Sequence, residues 1–169
     1  SGRNSIVLRV NGTKTSAHGK EKGDQMLGIL LFNPSEQIIN RICDLNEDKG
    51  EYCIFSASPT TEKARNISQL QPLRAYNFKE TLIASDIRTA EFAVNLSLPR
   101  KKFFYIRSCE WVRATSLLYE DLKKIYLNDN MDLIVSNSKD YKLISNLFKK
   151  PKYIVEDWDF EELLNDCEK

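Results

Sequence analysis

The sequence has little that supports metal, phosphate or cofactor chemistry. It contains one histidine, His18, and four cysteines that never occur as C-x-x-C, so a zinc site cannot be assembled from the usual ligands. Neither G-x-G-x-x-G nor G-x-x-x-x-G-K-[ST] is present, which argues against dinucleotide dehydrogenases and P-loop enzymes. We therefore expect no metal ion and no organic cofactor.

Long hydrophobic runs, a signal peptide and a strong charge are also missing. The apolar runs are far shorter than the roughly 20 residues that span a bilayer, and no stretch has the order of a secretory signal. The net charge of +1 indicates no global field for nucleic acid. Scattered cysteines without a signal predict reduced thiols, a cytoplasmic location and no membrane partner.

The first 25 residues differ in composition from the rest. They hold four of the six glycines and no aromatic residue, which is typical of a flexible linker. We interpret residues 1–25 as an expression-derived leader, or alternatively as a native arm that orders on a partner. Residues 26–169 are of a length suited to one domain.

From Met26 onward, short apolar runs alternate with helical patterns. Because the runs are continuously apolar, as burial on both faces requires, they predict an α/β fold with an open, mostly parallel sheet of about six strands and helices on both faces. The predicted strands are Met26–Phe32, Glu51–Ala57, Thr81–Ala84, Lys102–Arg107, Met131–Val135 and Lys152–Val155.

Helical spacing fills most of the intervals between these runs. Ile38, Ile39, Ile42 and Leu45 recur at helical spacing after Pro34, and Asp86 is placed to cap a helix that runs to Asn95. The remaining predicted helices are a short one from Ser58 to Leu70, Leu117–Leu127, Asp140–Phe148 and Trp158–Cys167.

Polar residues follow most of the predicted strands. Ligands of open parallel sheets bind outside the carboxyl ends of the strands, and hydroxyl, amide and carboxylate groups there suit sugar recognition by hydrogen bonds. We predict Asp86 and Glu110 as the acid and base. The predicted substrate-binding residues are Ser85, Arg107, Trp111, Ser136, Asn137 and Ser138.

Two further side chains near the predicted strand ends, Trp158 and Cys109, are candidates for function. Trp158 is a second candidate for stacking on a sugar ring or base. Cys109, close to Arg107, is either a thiol of lowered pKa or a half-buried structural thiol. Polar residues at strand ends also have an ordinary role, which is to cap the next helix.

Several segments together resemble small glycosyltransferase-like proteins of tailed bacteriophages. They are Ile83–Asp86, Leu98–Tyr105, Cys109–Trp111 and Ile154–Glu161. Those proteins look like the Rossmann-type N-terminal half of a GT-B glycosyltransferase. The resemblance covers residues 26–167, but the Gly-rich first turn of such enzymes is replaced here by Asn33-Pro34.

The resemblance implies a viral protein that acts in the host cytoplasm. It implies binding of a sugar, a nucleotide sugar or a glycan, with nucleic acid a ligand only as a modified substrate. A GT-B enzyme has two Rossmann domains, so the resemblance also implies a protein partner that completes the site. The alternative function is a non-enzymatic module that binds a host or phage protein.

Overall fold

The computed structural model describes residues 26–46, 52–58, 67–109 and 119–167, and these form an α/β fold around a parallel sheet. The strands are β1 (Leu27–Leu30), β2 (Tyr52–Phe55), β3 (Ser68–Leu70), β4 (Thr81–Ala84), β5 (Lys101–Ile106), β6 (Asp132–Val135) and β7 (Tyr153–Ile154). The helices are α1 (Glu36–Asn46), a 3₁₀ helix (Pro72–Asn77), α2 (Ile87–Val94), α3 (Tyr119–Tyr126), α4 (Ser138–Leu147) and α5 (Glu161–Cys167).

All strand pairs are parallel, in the order β3-β2-β1-β4-β5-β6-β7. Helices α1 and α5 pack on one face of the sheet, and α2, α3 and α4 pack on the other. The strand order reverses between β1 and β4. The predicted open, parallel, Rossmann-like architecture is therefore confirmed, with seven strands in place of about six.

The additional strand is β3, in a segment that we expected to end a short helix. Ser68–Leu70 pairs in parallel with β2, through Cys53↔Ser68 and Phe55↔Leu70. The segment was missed because it is three residues long and mostly polar, whereas the other strands are apolar runs. As an edge strand it needs one partner only, and its outer face tolerates polar side chains.

The core lies on both faces of the sheet, as the continuous apolar runs predict. Every residue of β1, β2 and β4 is buried. Gly28 allows close packing at the centre, since an added Cβ would lie 2.7 Å from Cε1 of Phe78 and 2.9 Å from Cε2 of Phe55. The ring of Phe78 thus covers β1 directly and joins the segment before β4 to the central strands.

The starts of α4 and α5 differ from the sequence prediction by two and three residues. Helix α5 begins at Glu161 rather than at Trp158, because Asp157 and Trp158 adopt positive φ angles of 45° and 70° that no helix accommodates. Helix α4 begins at Ser138, two residues early, because Asn137 caps it. None of the helices in the described ranges is long and apolar enough to cross a membrane. Residues 1–25 lie outside the described part.

Candidate functional site at the carboxyl end of the sheet

The carboxyl ends of β1 and β4 meet where the strand order reverses. Leu30 of β1 pairs with Ala84 of β4, so the two strands stop at the same level. Helix α1 follows β1 onto one face of the sheet, and α2 follows β4 onto the other. Open α/β sheets bind ligands at such a point because the two connections diverge and leave a crevice.

Ser85, a predicted binding residue, links the two strands at this point. Its hydroxyl donates to the carbonyl oxygen of Leu30 at 2.6 Å, and its backbone N–H donates to Oγ1 of Thr89 at 2.9 Å. The hydroxyl proton of Ser85 is therefore used in a hydrogen bond between the two strands and is not available to a ligand. The oxygen of Ser85 remains able to accept a hydrogen bond.

Asp86 is the N-cap of α2, as the sequence predicts. Its Oδ1 accepts from the backbone N–H of Thr89 at 2.7 Å, while Oγ1 of Thr89 accepts from the backbone N–H of Asp86 at 3.0 Å. This reciprocal capping box fixes the carboxylate at the tip of β4. Among the described residues only Oδ1 of Asp86 accepts a hydrogen bond, and Oδ2 is therefore the oxygen that a ligand could use.

The tips of β5 and β6 carry four further predicted residues, and the structure brings them together. The hydroxyl of Ser136 donates to the carbonyl oxygen of Arg107 at 3.1 Å. The side chain of Asn137 caps α4 by accepting from the backbone N–H of Asp140 at 2.8 Å, and its Nδ2 donates to the Ser136 hydroxyl at 3.1 Å. Ser138, which follows, is exposed.

The residues at the tip of β4 and those at the tips of β5 and β6 lie at different levels along the strand direction. Ala84, the last residue of β4, pairs with Phe104, whereas Ile106 of β5 pairs with Val135 of β6. Strands β5 and β6 therefore continue two residues beyond β4, which is about 6–7 Å at the usual rise per residue. The result is a step, with Ser85 and Asp86 on the lower level and Arg107 and Ser136 on the upper.

The predicted stacking role of Trp158 is wrong. The side chain is 2% exposed, and its ring packs edge-on against Tyr105 with centroids 5.1 Å apart. The guanidinium of Arg107 covers the ring at 4.8 Å from its centroid. Trp158 therefore belongs to the core and supports Arg107 from below, through a cation–π contact.

The interpretation of Cys109 as a thiol of lowered pKa is also wrong. Its Sγ lies 3.9 Å from Oδ1 of Asp140, and desolvation together with this carboxylate raises the pKa of Cys109 to about 11. A thiol of raised pKa is protonated at neutral pH and is a poor nucleophile. The alternative interpretation, a half-buried structural thiol, agrees with this environment.

Three residues at this end of the sheet were absent from the sequence prediction. Tyr105 donates its hydroxyl to the carbonyl oxygen of Val155 at 2.8 Å and holds the segment after β7. Thr89 and Asp140 complete the caps of α2 and α4. A signal for the last two exists, because each lies three residues after its capping partner.

A cavity of about 660 Å³ lies beside β7 at the same end. Carboxylates line most of it, and Arg41 donates to Asp157 across it at 2.7 Å. Within the described ranges no three histidine, cysteine, aspartate or glutamate side chains converge as metal ligands. Two predicted residues, Glu110 and Trp111, lie outside the described residues.

Comparison with known proteins adds no relative. No protein-family model, no curated protein and no solved structure matches the chain.

Proposed function

We propose that this chain is a glycosyltransferase-like protein of the bacteriophage type, which binds a sugar-bearing ligand at the carboxyl end of its sheet. One observation carries the proposal. The free Oδ2 of Asp86 lies on the lower level of the step, one strand away from the cluster formed by Arg107, Ser136 and Asn137 on the upper level. Carboxylate, hydroxyl, amide and guanidinium groups on a stepped surface suit the several hydroxyls of a sugar.

In this proposal Asp86 and Glu110 act as acid and base, and Trp111 stacks on the sugar ring. Glu110 and Trp111 follow Cys109 in the sequence, four and five residues after Ile106, the last residue of β5. Ser85, Arg107, Ser136, Asn137 and Ser138 supply the remaining hydrogen bonds. A protein partner that completes the site would make the isolated chain a binding protein rather than a complete catalyst.

Calorimetric titration with a panel of glycans and nucleotide sugars tests this function. Trp111→Ala and Asp86→Asn should each weaken binding at least tenfold, and Asn is a good enough cap to keep α2 intact. The matched control is Asp129→Asn, which alters an exposed carboxylate at the amino end of the sheet. Binding that is equal in Trp111→Ala, Asp86→Asn and Asp129→Asn would reject the proposed site.

A second candidate function, protein–protein interaction, is favoured by an exposed apolar ridge. Leu70, Leu73 and Tyr76 are 41%, 72% and 52% exposed. Leu73 and Tyr76 are three residues apart in the 3₁₀ helix, where such residues are eclipsed, and Leu70 is the last residue of β3 just before that helix. If the chain binds no sugar but co-purifies with a defined protein, and Leu73→Asp abolishes that association, the second function is the correct one.

A further inference from the structure

Arg107 is held from two sides at the tip of β5. The hydroxyl of Ser136 donates to its backbone carbonyl oxygen at 3.1 Å, and its guanidinium carbon lies 4.8 Å from the centroid of the Trp158 ring. Trp158 is 2% exposed, whereas Arg107 is an exposed residue. The cation–π contact with a buried ring therefore restricts the guanidinium without removing the arginine from solvent.

The Trp158 ring reaches this position through an unusual turn after β7. The backbone N–H of Asp159 donates to the carbonyl oxygen of Glu156 at 3.0 Å. The two residues between them, Asp157 and Trp158, have φ angles of 45° and 70°. Turns with two positive φ angles usually contain glycine or asparagine, and a bulky residue in this region is an outlier. Such a conformation persists only where the surrounding structure enforces it, and it is frequent at functional sites.

Tyr105 and Arg41 enforce the turn from its two sides. The buried hydroxyl of Tyr105 donates to the carbonyl oxygen of Val155 at 2.8 Å and accepts from the backbone N–H of Trp158 at 3.4 Å. Burial raises the pKa of this hydroxyl, so it remains a donor at neutral pH. Arg41 of α1 donates to the carboxylate of Asp157 at 2.7 Å. Contacts with two other elements of the fold thus hold the Trp158 ring beside Arg107.

The guanidinium of Arg107 makes no hydrogen bond or ion pair with another residue in the described ranges. Asp157 pairs with Arg41 instead, and Glu156 acts on the Tyr105 hydroxyl without contacting Arg107. A guanidinium presents its N–H donors as a planar fork that fits two oxygens of a carboxylate or a phosphate. A fork that is already held in place loses less conformational freedom on binding than a mobile side chain does.

We infer that Tyr105 and Trp158 are positioning residues that hold the Arg107 guanidinium to bind an oxyanion of the ligand, either a carboxylate or a phosphate group. This inference rests on the proposed function and narrows it, because the sugar-bearing ligand is then an acidic one. The costly turn at Asp157 and Trp158 thereby has a role in binding, since it places the ring that restricts Arg107.

Calorimetric titration with two matched pairs of probes tests the inference. One pair is an oligosaccharide that contains a uronic acid and the same oligosaccharide as its neutral methyl ester. The other is a nucleotide sugar and its free sugar. We expect the oxyanion of one pair to bind about tenfold more tightly than its neutral counterpart, and that pair identifies the group as carboxylate or phosphate. Arg107→Lys keeps the charge but has no planar fork, and it should abolish most of this preference.

The preference reports on positioning, because a general loss of structure weakens both probes of a pair equally. Trp158→Phe weakens the cation–π contact, and Tyr105→Phe removes the hydroxyl that holds the turn. Each should lower the preference by about threefold. The matched controls are Arg74→Lys in the 3₁₀ helix after β3, four strands from β5, and Tyr126→Phe, a buried tyrosine on the other face of the sheet. Both should leave the preference unchanged.

Equal binding of the two members of each pair, or a preference that persists in Arg107→Lys, would overturn the inference and leave the proposed function standing. A preference that is lost in Arg107→Lys but unchanged in Trp158→Phe and Tyr105→Phe would overturn the positioning role. Absence of binding to every sugar probe would reject the inference and the proposed function together.

Discussion

The two ends of the sheet cap helices with opposite kinds of side chain. A hydrogen-bond donor caps a helix end at the amino end of the sheet, and acceptors cap helix starts at the carboxyl end. At the amino end, where the strands begin, Nζ of Lys102 donates to the carbonyl oxygens of Ala93, Val94 and Leu96 at 3.2, 3.3 and 2.8 Å. These carbonyls belong to the last turn of α2 and its continuation, where a cation is favoured by the helix dipole. At the carboxyl end, Asp86 and Asn137 take the N–H groups of helix starts.

The two ends of the sheet differ in which polar groups remain able to form hydrogen bonds with a ligand. All three protons of Lys102 are used, and the residue is 8% exposed. A cavity of about 530 Å³ at the amino end is lined by Lys102 and Arg100, but Arg100 lies 3.7 Å from the carboxylate of Glu80. At the carboxyl end each cap leaves hydroxyl, amide or carboxylate groups accessible. The carboxyl end is therefore the end of the sheet whose polar side chains can contact a ligand.

The largest effect should come from the buried cation of the amino end. Lys102→Met keeps the aliphatic stem and removes the Nζ donor from three carbonyl oxygens, of which that of Ala93 still accepts from the backbone N–H of Leu96 at 3.1 Å, so the free energy of unfolding should fall by about 3 kcal/mol in urea titration. Lys150→Met, in an exposed turn, should change it by less than about 0.5 kcal/mol. Equal effects of the two substitutions would mean that Lys102 is an ordinary surface lysine and would remove the contrast.

An intermediate effect is expected at Gly28, which lies between the two ends. Gly28→Ala should cost about 2 kcal/mol of unfolding free energy because the new methyl group overlaps the Phe78 ring. In a Phe78→Leu background the same substitution should cost less, and a double-mutant cycle measures the difference. An identical cost in both backgrounds would exclude the ring contact as the cause.

A smaller effect is expected at the carboxyl end. Asp86→Ala should cost about 1 kcal/mol of stability through loss of the N-cap of α2, whereas Asp86→Asn should cost only a few tenths. Thermal unfolding followed by circular dichroism measures both. If Asn is as destabilising as Ala, the carboxylate charge rather than the cap stabilises this end of the sheet.

The smallest effect concerns the titration of Cys109. Its raised pKa, about 11 against 9.0 for a free thiol, means that the unfolded chain loses the thiol proton first. Stability should therefore decrease slightly as pH rises from 9 to 11. Alkylation of Cys109 by iodoacetamide, followed by peptide mass spectrometry, should increase with pH up to about 11.

Asp140→Asn removes the neighbouring carboxylate and should move the alkylation profile of Cys109 to lower pH. Asp129→Asn should leave the profile in place, because its carboxylate lies at the amino end. An unchanged profile in Asp140→Asn would show that burial alone raises the pKa of Cys109.

Much of the fold could be predicted because its strands are buried on both faces. Continuous apolar runs such as Thr81–Ala84 are then visible in the sequence without any knowledge of the neighbours. Ser68–Leu70 could not be found in this way, since its pairing with β2 and not its own composition makes it a strand. The cap at Asp86 was found because it depends on residues close in sequence.

The candidate site was predictable in position but not in detail. That polar residues gather at the strand ends follows from topology alone, and at the tip of β6 the Ser136 hydroxyl donates to the carbonyl of Arg107 and accepts from Nδ2 of Asn137. The environments of Trp158 and Cys109 depend on segments far away in sequence. Tyr105 covers the tryptophan and Asp140 faces the thiol, and nothing near either residue in the chain indicates these contacts.

The sequence by itself determined the alternation of strands and helices, the N-cap of α2 at Asp86 and the absence of a glycine-rich phosphate turn. These properties are local, because they depend on hydrophobic runs and on partners three or four residues apart. Only the tertiary structure decided which polar side chains at the two ends of the sheet remain accessible to a ligand. The step between β4 and β5 and the buried Trp158 arise from contacts between strands and helices that are distant in the chain, and the three hydrogen bonds of Lys102 arise from the packing of α2 against β5.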